Sequence, residues 1–141
     1  MPSETRVTNP RDLKTVTRRI HDHWFDVADV SNDSARRVLR VKFRRPSETG
    51  ERTIRRVLFF RRVRVPVTEW WLEIRKVESH TIRETERIGR YDFNELQFSE
   101  PDRILSVKTG VPLVFQVVVS ELDIAVGDTG KVVEEKVYTT V

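Results

Sequence analysis

Apolar residues follow two different periods along this chain. Near the start, Leu13, Val16 and Ile20 recur at helical spacing, with Lys14, Arg18 and Arg19 on other faces. Asn9 before Pro10 offers an N-cap with proline at the first helical position, and Asp12 sits in the first turn, where the helix dipole favours an acid. These features predict one short amphipathic helix over residues 10–23.

Beyond it the period is two. RRVLRVKFRR sets Leu39, Val41 and Phe43 against Val38, Arg40, Lys42 and Arg44. A polar linker with Pro46 and Gly50 follows, and IRRVLFFRRVRV then runs through residues 54–65, so the two runs read as a hairpin with a longer turn. A turn near Ser47 to Gly50 would place Arg40, Lys42 and Arg44 across from Phe59, Val57 and Arg55, with Arg61 beside Val38. Leu39, Val41, Phe43, Leu58 and Phe60 would then form the core face. Pro66 reads as a break before TEWWLEIRKV, in which Trp70, Leu72 and Ile74 alternate with Trp71, Glu73 and Arg75.

Further on, Tyr91 and Phe93 keep one register while Leu96 and Phe98 take the other, which predicts a bulge or bend. RILSVKTG reads as a short strand closed by Gly110, VPLVFQVVVSELDIAV as one long strand, GDTGK as a turn, and VVEEKVYTT as a last strand or a loose tail. Seven or eight strands separated by turn signals predict an antiparallel β-sandwich or partly closed barrel, with the helix against an edge or open end. All 141 residues read as a single domain: helix at 10–23, β region at 27–126, C-terminal strand or tail at 127–141.

Composition narrows the chemistry. Twelve aromatics and many Val, Ile and Leu in periodic runs argue against disorder despite 34% charged residues. With no cysteine, disulfides, thiolate metal sites and thiol nucleophiles are excluded. The opening MPSETRVTNPRDLK lacks the layout of a secretory signal, and no apolar run has the roughly 18 residues a membrane helix needs. A soluble, cytoplasmic protein is the expectation.

Net charge is +4, but residues 1–64 carry 17 Lys/Arg against 8 Asp/Glu, whereas residues 65–141 carry 9 against 14. Such a split suits either a basic surface for an acidic partner or two halves whose strands pair with complementary charge.

IHDHWFDVADV concentrates polar candidates. His21 and His23 share a face only on a strand, while Asp22, Asp26 and Asp29 align only on a helix, so no regular conformation serves both sets. His80 stands apart, and a transition-metal site needs three or four converging ligands, so neither metal nor cofactor is expected. The five glycines form no phosphate-binding or dinucleotide loop, and no nucleophile elbow is present. A hydrolase built on His21, Asp22 and His23 is therefore the least favoured reading, and the chain is expected not to be an enzyme. The stretch reads instead as a joint, with Trp24 and Phe25 buried and His21 or His23 bonded at the helix end.

IHDHWFDVADV, RRVLRVKFRR, WWLEIRKVESHTIRETE and LVFQVVVSELDIAV together resemble small uncharacterised bacterial domains that open with a His-Asp motif and continue as antiparallel strands. Some of those domains look like immunity proteins of toxin systems. The likeness covers residues 18–126, is one of layout with His21 and Asp22 as the local match, and implies a binding or protective module.

The leading expectation is accordingly a non-catalytic interaction module that binds a protein partner, or a second copy of itself, through a sheet face or edge. Nucleic-acid binding through Arg40, Lys42, Arg44, Arg55, Phe59, Arg61, Arg62 and Arg64 is the alternative, since cations beside rings track phosphates and stack on bases. A small-molecule carrier with a cavity lined by Trp70 or Trp71 and Phe115 is a third.

Overall fold

The computed structural model describes residues 4–47, 52–57 and 60–140. Its strands are β1 (Glu4–Val7), β2 (Trp24–Asp26), β3 (Val30–Asp33), β4 (Val38–Pro46), β5 (Arg52–Val57), β6 (Phe60–Ile74), β7 (Val77–Glu84), β8 (Arg90–Ser99), β9 (Ile104–Thr109), β10 (Leu113–Val119) and β11 (Ile124–Thr140). One antiparallel sheet runs in the order β1-β11-β6-β4-β2-β8-β9-β10-β7, with β3 added to β4 and β5 to β6. The sheet is not closed into a barrel.

It folds on itself instead. Phe25 on β2 and Phe115 on β10 meet edge to face at 6.1 Å although β8 and β9 separate their strands within the sheet. Phe25 also stacks on Phe93 at 4.6 Å, and Phe93 meets Phe43 edge to face at 5.3 Å. Arg75 and Lys76 turn the corner from the middle of the sheet to its far edge, with Lys76 at a φ of 55°.

Helix α1 (Leu13–Ile20) buries Leu13, Val16 and Ile20 against β8, β1 and β11. The helix is shorter than 10–23. Pro10–Asp12 form a 3-10 turn capped by Asn9, and His21 leaves the helix with Asp22 at a φ of 64°. The four-residue β1 precedes the helix; its ETRV sequence alternates too briefly to be read as a strand alone.

Several strand assignments are corrected. There are eleven strands rather than seven or eight among the described residues. β4 does not pair with β5: Leu39 lies opposite Ile74 and Pro46 opposite Val67, while Arg56 lies opposite Arg61. Both strands thus occupy the same edge of the 15-residue β6, one after the other. Pro66 does not break β6. Its carbonyl accepts from Ser47 N at 2.8 Å on the β4/β5 side. In a strand, a residue's N and C=O point the same way, so the missing N–H falls where β4 ends and β5 has not begun.

The stretch from Leu113 to Val126 is two strands, β10 and β11, separated at Ser120–Asp123. GDTGK is no turn, and the C-terminal segment is no tail. Both belong to the 17-residue β11, which absorbs Asp128–Glu134 as two register shifts with Gly130 at a φ of 78°. Gly127 is required there: a Cβ would sit 2.5 Å from the Trp71 ring. The bulge expected within residues 91–98 lies between Phe93 and Glu95.

Candidate binding face on the β-arm

β6 serves two cores on opposite faces. Trp70, Leu72 and Ile74 point into the main core, whereas Val63, Val65 and Val67 are buried at the other parity, with no shift of register against β4 between them. The second set lies outside the main core, and so does Trp24. Trp24 shares the outer face of β4 with its cross-strand partner Arg44. Lys136, opposite Val65, brings Nζ to 3.8 Å from the Trp24 ring, and Arg90 lies over the same ring at 4.7 Å. The first half of β6, β5 and the second half of β11 therefore form a three-stranded arm that curls over the outer face and clasps Trp24.

The arm's other face is open. Phe60, Arg62 and Arg64 occupy it on β6, and the pairings of Arg64 with Val137 and Arg62 with Thr139 put those residues beside them. Phe60 is 51% exposed and Val137 43%. Ile54, Val132 and Tyr138 also belong to the arm's strands, so among the described residues the exposed large apolar side chains concentrate there; Ile88 and Val111 are the others.

Charge on the arm is arranged unusually. The register sets Arg52 opposite Arg64, Arg55 opposite Arg62, and Arg56 opposite Arg61. Like charges directly across a strand pair destabilise it. Arg64 finds Glu135 of β11 at 3.3 Å.

Arg40, Lys42 and Arg44 are not on this face. They lie on the outer face of β4, where β6 presents acids: Arg40 Nε is 3.6 Å from Glu73, and Arg44 pairs with Asp29 at 3.5 Å and lies across from Glu69. Arg40 also stacks on Trp71 at 4.9 Å. The eight basic-face candidates thus split between β4 and the arm. Arg62 and Arg64 share the open face of β6, whereas Arg61 has the parity of Val63 and lies on the other face; Arg55 joins Arg62 through its register, its side chain lying outside the described residues, as does Phe59 altogether. Phe60, assigned to the core face, is exposed because β5 and β6 have no layer over that side.

Trp70 and Trp71 face opposite ways, Trp70 towards Phe43 at 6.4 Å and Trp71 towards Arg40 and Gly127. Phe115 is fully packed in the main core, so it and Trp71 do not line a common cavity.

The His-Asp-His stretch is held by backbone bonds. His21 N donates to Thr17 O, Asp22 N to Phe93 O, His23 N to Ile20 O, and Phe93 N to His23 O. His21 Nδ1 lies 2.7 Å from Asn94 O, and the His23 ring stacks on Phe43 at 6.5 Å. Asp26 and Asp29 form a capping box at the start of the 3-10 turn Val27–Asp29, with Ala28 N donating to Asp26 Oδ1 at 2.9 Å and Asp26 N to Asp29 Oδ2 at 3.4 Å; Asp22, 3.4 Å from His21 Nε2, is exposed at the rim of a cleft beside Trp24 and Arg90. Among the described residues, no three of His, Cys, Asp and Glu converge as metal ligands.

Charge pairing elsewhere links the two halves of the chain. Asp123, 3% exposed, receives Arg6 Nε at 2.9 Å and Nη2 at 3.0 Å, with Arg75 and Lys76 behind. The Arg6 hydrogen bonds hold its carboxyl below the usual aspartate range. Arg37 reaches Glu78 at 3.9 Å in the same cross-half sense.

No family model matches this sequence, and no curated protein or solved structure matches it. Among the described residues, no helix is long and apolar enough to cross a membrane.

Proposed function

We propose that this protein is a non-catalytic interaction module that binds an acidic protein surface through the open face of the β5–β6–β11 arm. The observation that carries this reading is the register of β5 on β6, which sets Arg52 opposite Arg64 and Arg55 opposite Arg62 on the face that also carries Phe60 and Val137. A surface built only for stability would separate these charges, as β4 and β6 do. Carboxylates of a partner would convert the repulsion into charge-assisted, bidentate pairs. Exposed Phe60, Ile54 and Val137 supply the apolar centre that protein interfaces need, and arginine and aromatic residues are what such interfaces select.

A protein suits this face better than a nucleic acid. Exposed Glu135 lies beside Arg64 on that face, where it repels phosphates, and aliphatic side chains outnumber rings. A cytoplasmic setting fits the same reading, in line with the cysteine-free composition.

The test is affinity purification of the tagged full chain from its own host, followed by reconstitution with the purified partner. The Phe60→Ala and Arg62→Glu exchanges together are expected to weaken the reconstituted complex by about 100-fold or more, as loss of two central contacts would. Equal affinity of wild type and variant contradicts the proposal. So does tight, steeply salt-dependent binding of single-stranded oligonucleotides through the same residues, which would make the face a nucleic-acid interface.

A further inference from the structure

The arm has a free edge as well as an open face. β1 pairs only with Ile124–Gly127 of β11, and among the described residues no strand pairs with the outer edge of β11 beyond Gly127. Pro66 fixes which main-chain groups point there. Its carbonyl faces the β4/β5 side, so its neighbours Val65 and Val67 turn theirs towards β11. Val63, Val65 and Val67 therefore form the hydrogen-bonded pairs with Tyr138, Lys136 and Glu134, and the N–H and C=O of Val137 and Thr139 point outwards. Natural sheets blunt such an edge with proline or a bulge, and the run from Glu134 to Thr140 has neither.

Along this edge lies the cleft that has Asp22 at its rim. Lys136 lines it from the arm, and Trp24, Ile88 and Val111 line it from the body. Ile88 and Val111 are the exposed large apolar side chains outside the arm among the described residues, and both meet at this one place. Tyr138 has the parity of Lys136 and faces the same side of β11, yet it stays exposed.

We propose that a second copy of this chain occupies the edge, pairing β11 with β11 antiparallel about a two-fold axis at Val137. In that register Val137 and its copy exchange two main-chain hydrogen bonds, Lys136 lies opposite Tyr138 of the second copy, and Glu135 lies opposite its Thr139. Like charges are nowhere opposite one another. Centring at Lys136 or Glu135 would set that residue against its own copy, and centring at Tyr138 would pair the two tyrosines and leave the cleft unfilled. With the axis at Val137, Tyr138 of each copy lands beside Lys136 of the other, at the cleft, where its ring meets the ammonium and the exposed Ile88 and Val111. The arrangement uses the same patch on both chains and closes at a dimer. It takes the edge and inner face of β11, so Phe60 and Arg62 stay uncovered on the open face, and the two readings stand or fall separately.

The experiment is sedimentation equilibrium of the full chain, with wild type expected to dimerise with a dissociation constant of roughly 1–100 μM, as a contact of small area allows. Tyr138→Ala and Ile88→Asp, on opposite sides of the contact, are each expected to weaken the dimer about tenfold or more, and Phe60→Ala to leave it unchanged. Should Tyr138→Ala lose its folded near-ultraviolet dichroism, Ile88→Asp alone decides. Val137→Cys gives a chain with no other thiol, and mild oxidation is expected to link it as a disulfide dimer, because the register sets the two Cα atoms about 5.5 Å apart. A chain that stays monomeric at about 500 μM, a dimer that neither Tyr138→Ala nor Ile88→Asp weakens, one that Phe60→Ala weakens as much, or one that Val137→Cys does not cross-link would each overturn the proposal.

Discussion

The body of the sheet and its arm are built from the same residue types and handle them in opposite ways. In the body, each outward arginine of β4 that lies beside a strand meets an acid, as Arg40 meets Glu73 and Arg44 meets Asp29. Its rings are interior: Phe25, Phe43, Phe93 and Phe115 form one connected cluster. On the arm, β5 sets arginine opposite arginine, with Arg64 finding Glu135 on the far strand, and Phe60 stands in solvent. The difference separates what folding requires from what folding merely tolerates, and the tolerated features are the ones assigned to the proposed partner.

The largest predicted effects break this contrast from the body side. Phe25→Ala is expected to cost about 3–5 kcal/mol, because it empties a fully buried site between β2, β8 and β10, whereas Phe60→Ala should change stability by no more than about 0.5 kcal/mol. Urea unfolding of both variants checks the pair. A comparable loss for Phe60→Ala would mean that the arm's open face is packed in solution.

Next comes the seam between the two regions. Gly127→Ala drives a methyl into the Trp71 ring, and a cost of about 1–3 kcal/mol is expected, read as a lower thermal midpoint.

Asp123 gives a smaller, pH-dependent effect. Its folded pKa is depressed, so its contribution is fully present above the ordinary aspartate range and is lost as pH falls through the folded value. Asp123→Asn should therefore lower stability near neutral pH by about 1–2 kcal/mol, discounted because Arg6 is half exposed, and should flatten the decline in thermal midpoint on acidification below about pH 4. Parallel acid limbs for variant and wild type would show that Asp123 carries no such linkage.

Much of the body was legible in the sequence because its signals are local. Leu13, Val16 and Ile20 mark the buried helical face, Leu39, Val41 and Phe43 the core face of β4, and the parity change between Phe93 and Leu96 the bulge. Pairing was not legible. A polar linker between two alternating runs suggests a hairpin, yet β4 and β5 both add to β6, whose length is disguised by Pro66. The arm's second core had a signal of its own: Val63, Val65 and Val67 alternate in one parity and Trp70, Leu72 and Ile74 in the other, as a continuous strand covered on both sides in succession would. The basic candidates divided between β4 and the arm for the same reason. Neighbours across a sheet are set by register, and register is set by distant strands.

The contrast between body and arm is tested most directly by the stability of Arg55→Glu at low ionic strength. This exchange sets an acid opposite Arg62 on the open face of the arm. Thermal unfolding is expected to show a gain of about 0.2–1 kcal/mol that shrinks as salt is added. A loss of stability would contradict the central claim, because it would show that the arginines of the arm, like those of the body, are held in place by the fold itself.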